Sequence, residues 1–216
     1  MKITILCEKN SWVNKYLPSL LEKLKRHSVQ VISSHHEIVE GDLLILQSYG
    51  KILPKNKMAL NRHNILVHSS ELPRGKGWTP VHWQIIEGKD RIPSTLIEIS
   101  EKVDSGDIYY KEYTSLNGTE LLDEIREKVI KTDFSMIERF VDNIEVVKAK
   151  RQEGKATYYR KRNEEDSEFD INKTISEQIS LMRVVDNEDY PLFFRYKGEK
   201  FVLKIYKEKD SQNNGR

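Results

Sequence analysis

Apolar positions in the first third of the chain come as short runs divided by polar stretches. Ile3 to Cys7 is largely apolar and β-branched, which predicts a buried strand, while Val13, Leu17, Leu20, Leu21 and Leu24 recur at helical spacing and predict one amphipathic helix. Val29 to Ser33 reads as a second strand, Asp42 to Leu46 (DLLIL) as a third and Asn64 to Val67 (NILV) as a fourth. The third and fourth are nearly continuous in apolar residues, the pattern of strands covered on both faces, so a parallel sheet is expected. Thr79 to Glu87 predicts a helix with Pro80 near its start and Gly88 as its stop. Ser94 to Ile99 and Ile108 to Tyr113 predict a strand pair around Asp104, Ser105 and Gly106, and Thr119 to Val141 a long amphipathic helix. Strands alternating with crossovers make residues 1–150 one α/β unit with a mainly parallel central sheet.

After Lys148 the pattern changes to KAKRQEGKATYYRKRNEEDSEFD, which is charged, poor in apolar residues and reads as an extended linker. A short helix from Ile175 to Val184 follows, then Phe193 to Tyr196 and Phe201 to Tyr206 flank Lys197 and Gly198 as a hairpin. Residues 151–216 are therefore expected to form a linker and a small α+β subdomain. The polar end KEKDSQNNGR reads as frayed.

Composition narrows the classes of function. Charged residues make up 32% of the 216, yet the formal balance is only +2, which suggests neither a nucleic-acid surface nor an acidic tail. Cys7 stands alone, which rules out an intramolecular disulfide or a cysteine-built zinc site and fits a reducing compartment, so a cytoplasmic location is expected. The amino terminus MKITILCEKN breaks its apolar run at Glu8 and Lys9, and no later run approaches the ~20 apolar residues a membrane span needs. A soluble protein without membrane contact is the expectation.

Ligands in a parallel α/β sheet bind beyond the carboxyl ends of the strands. Three segments fall there: Gln47 to Pro54, His68 to Gly77, and Asp104 to Asp107. His68 is the residue type that moves a proton near neutral pH, and a carboxylate such as Asp104 can fix its tautomer. A histidine after a buried strand can equally do no more than cap or pack, and spacing alone leaves both readings open.

The stretch HSSELPRGKGWTPVHWQIIEG resembles the signature HxSLLPxYRGxxPxxWAIxxG of the folate-dependent formyltransferases. His68, Ser70, Leu72, Pro73, Gly77, Pro80, Trp83 and Gly88 match it, and Lys76 stands where the family usually has Arg. Upstream, DLLILQSYGKILP is similar to the family's strand followed by YGxILP, with Tyr49, Gly50, Ile52, Leu53 and Pro54 matching; downstream, EKVDSGDIYYKE resembles its DxGDI element. ATYYRKRNEEDSEFD and ISLMRVVDNEDYPLFFRYKGEKF are similar to the carboxyl-terminal segment of the members that act on sugar nucleotides.

The resemblance implies a Rossmann-like formyltransferase fold and 10-formyltetrahydrofolate as co-substrate, with no metal. It implies His68 and Asp104 as the catalytic pair, the imidazole stabilising the oxyanion that forms when a neutral amine attacks the formyl carbon. Tyr49, Gly50, Ile52, Leu53, Ser70, Leu72 and Asp107 are the implied folate residues. For a sugar-nucleotide acceptor, with Gly77 among the substrate-binding residues, Lys76, Arg160, Arg162 and Arg183 are the candidates for the pyrophosphate and Tyr158 or Tyr159 for the base. Each of these basic residues taken singly reads as well as a solvated surface charge.

The chain departs from the family at one position: Asn normally stands two residues before the histidine, and here that residue is Leu66. Asn64 lies ~13 Å from His68 along an extended strand at ~3.3 Å per residue, so it cannot substitute. Another donor near Gln47 to Lys51, or His68 alone, has to serve the oxyanion.

A UDP-linked dideoxy amino sugar formylated at its 4-amino group, as in the pseudaminic-acid branch that the chain resembles, is the expected acceptor. Two readings compete with it: formylation of an aminoacyl group on tRNA or a carrier protein, and a relative that binds folate or sugar nucleotide without catalysis. A homodimer through the hairpin is expected by analogy.

Overall fold

The computed structural model describes residues 1–208, so the end of the frayed segment expected at residues 207–216 lies outside the described residues. The chain runs β1 (Lys2–Cys7), a 3-10 turn (Trp12–Lys15), α1 (Leu17–Lys23), β2 (Ser28–Ile32), β3 (Gly41–Gln47), α2 (Lys55–Met58), β4 (Asn61–His68), β5 (Lys76–Gly77), α3 (Pro80–Ile86), β6 (Arg91–Glu98), β7 (Ile108–Ser115) and α4 (Leu122–Asp142). β8 (Tyr158–Tyr159), α5 (Ile175–Arg183), β9 (Leu192–Tyr196) and β10 (Glu199–Leu203) follow.

Six strands form one sheet in the order β2-β1-β3-β4-β6-β7. β1 pairs in parallel with both β2 and β3, and β3 with β4, while β6 joins β4 and β7 joins β6 antiparallel. This is the mixed α/β, mostly parallel architecture expected. Because β2 lies on one side of β1 and β3 on the other, the chain reverses its direction of travel across the sheet at β1. Ligand crevices open beyond the carboxyl ends of strands at such a point.

Alternation along the strands sorts side chains between two layers. Ile3, Ile5, Leu43, Ile45, Ile65 and Leu96 pack with α1 and with Ile130, Phe134, Ile137 and Phe140 of α4. Leu44 and Leu46 face the opposite way and pack with Leu6, Ile32, Ile38 and Leu53. Pro93 falls where β6 has β7 as its neighbour and has already left β4, so its missing N–H removes no β4 bond.

The single helix expected over Val13–Leu24 is broken into the 3-10 turn and α1. Pro18 is the cause: its ring is accepted in the first turn of α1 but not inside a longer helix, so the chain restarts at Leu17.

The segment read as an extended linker is pinned to the first unit. Tyr158 and Tyr159 pair in parallel with Lys76 and Gly77, and the Lys76 and Trp78 N–H groups donate to the Thr157 and Tyr159 carbonyls. The chain beyond residue 150 therefore holds the loop that follows His68. The hairpin of β9 and β10 forms as expected, with Lys197 and Gly198 both at positive φ (50° and 85°) in its two-residue turn.

Candidate active site

His68 ends β4, and His68, Gln47 and Cys7 bring the ends of β4, β3 and β1 side by side. The loop after β4 folds back over the imidazole, and the Gly75 carbonyl lies 2.9 Å from Nε2. That contact makes Nε2 the N–H donor, since a carbonyl oxygen only accepts. On the other side of the ring, Nδ1 faces Asp104 Oδ1 at 3.5 Å. Both residues are buried.

Asp104 is held from several directions. Its second oxygen accepts the Gly77 N–H at 2.8 Å, and Gln152 donates to its carbonyl at 2.9 Å and to that of Gly106 at 2.8 Å. Asp104 itself sits at φ 51°, a left-handed conformation that costs a non-glycine residue about 1–3 kcal/mol and gathers at functional sites. Lys76, itself buried, donates to the next residue's hydroxyl, Ser105 Oγ, at 2.7 Å.

Two crevices meet at this pair. The first has a volume of about 530 Å³ and is walled by Leu46, Tyr49, Gly50, Ile52, Leu53, Leu66, Ile97, Ile99 and the turn from Ser100 to Asp104. The second, about 380 Å³, opens on the α4 side of the sheet between Glu8, Trp12, Gln47, Pro80, His82, Arg126 and Asp133. Ser48, Tyr49, Gly50, Val67, His68, Gly77 and Trp78 line both. The imidazole thus stands where one ligand can hand a group to another.

Both walls are largely apolar, with ionisable groups set into each. The first crevice is largely apolar with main chain from Tyr49 to Leu53, which suits a flat heterocycle. The second carries ionisable groups. Burial, with Arg162 and Arg126 adding to it, pushes His82 down to about 3, so its imidazole is neutral at physiological pH. Asp133 is pushed up to about 7 by burial, against the opposing hydrogen bond from Ser94.

The profile of the family described as "Formyl transferase" matches residues 2–141, well over half of the chain. The chain belongs to the formyl transferase family. It is 27% identical over 188 residues to a methionyl-tRNA formyltransferase from Natranaerobius thermophilus, a match that covers 85% of this chain and 58% of that protein. The chain thus spans a little over half the length of that curated relative. Among solved structures, a methionyl-tRNA formyltransferase from Clostridium thermocellum superposes with a TM-score of 0.80 at 23% identity, covering 98% of this chain and 95% of that one. A 4-N formyltransferase from Francisella tularensis gives 0.77 at 20% identity, covering 96% and 98%. At these identities the two structures speak for the fold, which is the Rossmann-like formyltransferase architecture.

Of the residues expected at the site, the structure gathers His68, Asp104, Tyr49, Gly50, Ile52, Leu53 and Gly77 around the crevices. Leu66 lines the first, an apolar side chain where the family carries Asn. Asn64 is buried away from it and donates to the Met58 carbonyl at 3.1 Å. Others sit elsewhere. Ser70 and Leu72 are buried outside both crevices, Ser70 Oγ donating to the Arg74 carbonyl at 2.8 Å, so they shape the loop and form no wall. Asp107 is exposed and contributes its carbonyl to the Glu98 N–H. Lys76 is spent on Ser105, and Arg160 on a bidentate pair with Asp166. Tyr159 donates to Glu87 and lies parallel to Trp83, while Tyr158 is exposed. Arg162 bonds the Val184 and Asp166 carbonyls.

Arg183 is the clearest departure. Its guanidinium is buried, donates to Asp90 at 2.9 Å and faces Glu120 at 3.4 Å, so it ties α5 to the start of α4 and reaches neither crevice. Arg183→Ala should lower stability by about 3 kcal/mol, the low end for a broken buried pair because Lys128 still partners Glu120. Thermal melts would show the loss. A nucleotide affinity reduced in folded Arg183→Ala protein, with stability unchanged, would return Arg183 to the binding site.

Glu8, Trp12, Trp78, His82, Arg126 and Asp133 were not anticipated. Asp133 had a signal in the sequence: it is an acid within the apolar stripe Val129, Ile130, Phe134, Ile137 of the long helix.

Proposed function

We propose that this chain transfers the formyl group of 10-formyltetrahydrofolate to the primary amine of a small amino-sugar nucleotide, with a UDP-linked dideoxy sugar bearing a 4-amino group as the preferred acceptor. The observation that carries this reading is the pair of crevices sharing His68: one open along main chain from Tyr49 to Leu53, the other on the α4 side with His82, Arg126 and Asp133 in its wall, meeting at one buried imidazole and its carboxylate. The folate occupies the first and presents its formyl carbon at Ser48 and His68. The acceptor amine enters from the second. Attack builds a tetrahedral centre whose oxygen gains charge, and donors already fixed in place lower that barrier most effectively. With Leu66 offering none, the donors left at the junction are the His68 ring and the Ser48 hydroxyl with the main chain at Ser48 and Tyr49, which borders both crevices. Collapse breaks the bond to N10 and leaves tetrahydrofolate and a formamide.

Formylation of an aminoacyl-tRNA is the second reading, favoured by the methionyl-tRNA formyltransferases among the relatives. Against it stand the chain's near-neutral balance of +2 and the ion pairing that absorbs Arg160, Arg195 and Lys200 on the carboxyl-terminal surface, where a polyanion would need free cations. Incubation of the full chain with 10-formyltetrahydrofolate and, in separate reactions, a panel of UDP- and dTDP-linked amino sugars and charged initiator tRNA decides between them. Tetrahydrofolate release with a mass gain of one formyl group on a sugar nucleotide is expected. Release with the tRNA alone supports the second reading, and binding of folate without release in any reaction shows a non-catalytic relative.

A further inference from the structure

The second crevice contains an acid that the fold itself does not use. Asp133 projects from α4, the only acid on that helix's buried face, and its one hydrogen-bond partner among the described residues is Ser94 Oγ at 2.6 Å. Buried carboxyls that serve structure are matched by a cation or by several donors, because an unpaired charge away from water is expensive. Asp133 has neither. It opens instead on the crevice beside His68.

Strand register places it close to the reacting centre. His68 pairs with Thr95 across β4 and β6, and Ser94, which holds Asp133, is the next residue of β6. Ser94 shares the α4-facing side of the sheet with Leu96, and by the same alternation Gln47 follows Ile45 on that side of β3. Asp133, Gln47 and Val67 therefore surround the floor of the crevice directly beside the end of β4.

The other acids and bases there are engaged. His68 gives Nε2 to the Gly75 carbonyl and turns Nδ1 to Asp104. Glu8 accepts the Gly50 N–H at 3.2 Å. Arg126 pairs with Asp186, and His82 in α3 is kept neutral by burial beside Arg162 and Arg126. With Tyr49, whose hydroxyl meets His35 Nδ1 at 2.6 Å, these are the titratable and charged groups lining the crevice around Asp133, from the end of β1, from the loop after β3, from β4, from α3 and from α4 itself.

We propose that Asp133 is the base that takes the proton from the acceptor's ammonium, an inference that rests on the transfer reaction proposed above. A primary amine reaches a neutral-pH enzyme largely as R–NH3⁺ and cannot attack until one N–H bond is broken. The proton passes from nitrogen to the Asp133 carboxylate, and the freed electron pair forms the new C–N bond to the formyl carbon. The bond from that carbon to N10 of the folate then breaks, its pair returns to N10, and N10 takes the second proton that the former amine sheds. The proton on Asp133 leaves to solvent through the crevice. Burial that holds this carboxyl near the middle of the physiological range suits it to both halves of that cycle.

The test compares wild type with Asp133→Asn, which keeps the shape and the Ser94 contact, and with Ser94→Ala, as kcat/KM for the acceptor across pH. Asp133→Asn should lose about 100-fold near neutral pH, the order of a general base. The deficit should narrow as pH rises past the acceptor amine's own pKa, with KM for 10-formyltetrahydrofolate unchanged. Ser94→Ala removes the bond that opposes burial, so the acidic limb of the profile should move to higher pH. An Asp133→Asn enzyme with wild-type rates, or with one constant deficit at every pH, overturns the inference while formyl transfer by the wild type stands. A wild type that formylates no amine overturns the transfer reading first and this inference with it.

Discussion

His68→Gln is expected to reduce turnover by about 10²–10³-fold, the range for removing a donor that stabilises the developing oxyanion, while 10-formyltetrahydrofolate binds within a few-fold of the wild-type affinity. Gln is the informative replacement because its terminal amide still offers an N–H toward the Gly75 carbonyl, the contact that His68 Nε2 makes at 2.9 Å. The loop over the site is thereby kept, and the imidazole with its Asp104 partnership is lost. The apolar walls from Leu46, Leu53, Leu66, Ile97 and Ile99 are untouched, so the folate keeps its seat. Initial rates of tetrahydrofolate release, set beside a fluorescence titration with the folate, check the two halves separately. Turnover preserved within a factor of a few would remove the imidazole from the reaction and leave it the cap that its sequence position also allows.

The second large effect is structural. A Cβ added at Gly106 would fall 1.5 Å from the Glu98 carbonyl oxygen and 2.7 Å from its carbon. Both are backbone atoms of β6, locked by the Glu98 N–H to the Asp107 carbonyl at 2.9 Å. No side-chain rotation relieves such a clash, so Gly106→Ala must push the Asp104 turn off the end of the strand pair. Overpacking against fixed backbone costs about 3 kcal/mol or more, which for a chain of this length is a drop of roughly 6–12 °C in Tm. Protein that still folds should be slow as well, because the displaced turn carries Asp104 away from His68. A Tm within a degree or two of wild type would show that the turn has room to relax, and that the Asp–Ser–Gly run is not set by close approach of two backbones.

The strands of the first unit were legible because each is an apolar run bounded by polar residues, and β1, β3 and β4 lie where Ile3 to Cys7, Asp42 to Leu46 and Asn64 to Val67 placed them, extended by a few residues. Their carboxyl ends located His68 and the Tyr49 to Leu53 wall, and the element around Asp104 completed the pair. What escaped depended on residues far apart in sequence. Nothing local in ATYYRKR shows that Tyr158 and Tyr159 would pair with Lys76 and Gly77. Arg183 read as a candidate phosphate ligand because a guanidinium suits phosphate, and its burial between Asp90 and Glu120 arises only when α5 packs on α3. Arg160 and Lys76 were misplaced for the same reason: a cation's partner is chosen by the fold. The second crevice was invisible as a unit, since its walls come from the ends of β1 and β3, from α3 and from α4, with no shared motif. Pro18 leaves no mark on the hydrophobic pattern, because the apolar spacing from Val13 to Leu24 continues through it.

The short parallel pairing of β5 with β8 fixes an order of events during synthesis. The six-stranded sheet and α4 need only the chain up to about Asp142, so a nascent polypeptide can build its scaffold before Tyr158 and Tyr159 have left the ribosome. The jaw over His68 closes afterwards. Assembly of the scaffold and arming of the centre are thus successive events, and a chain interrupted between them would carry the family's sheet without its working mouth.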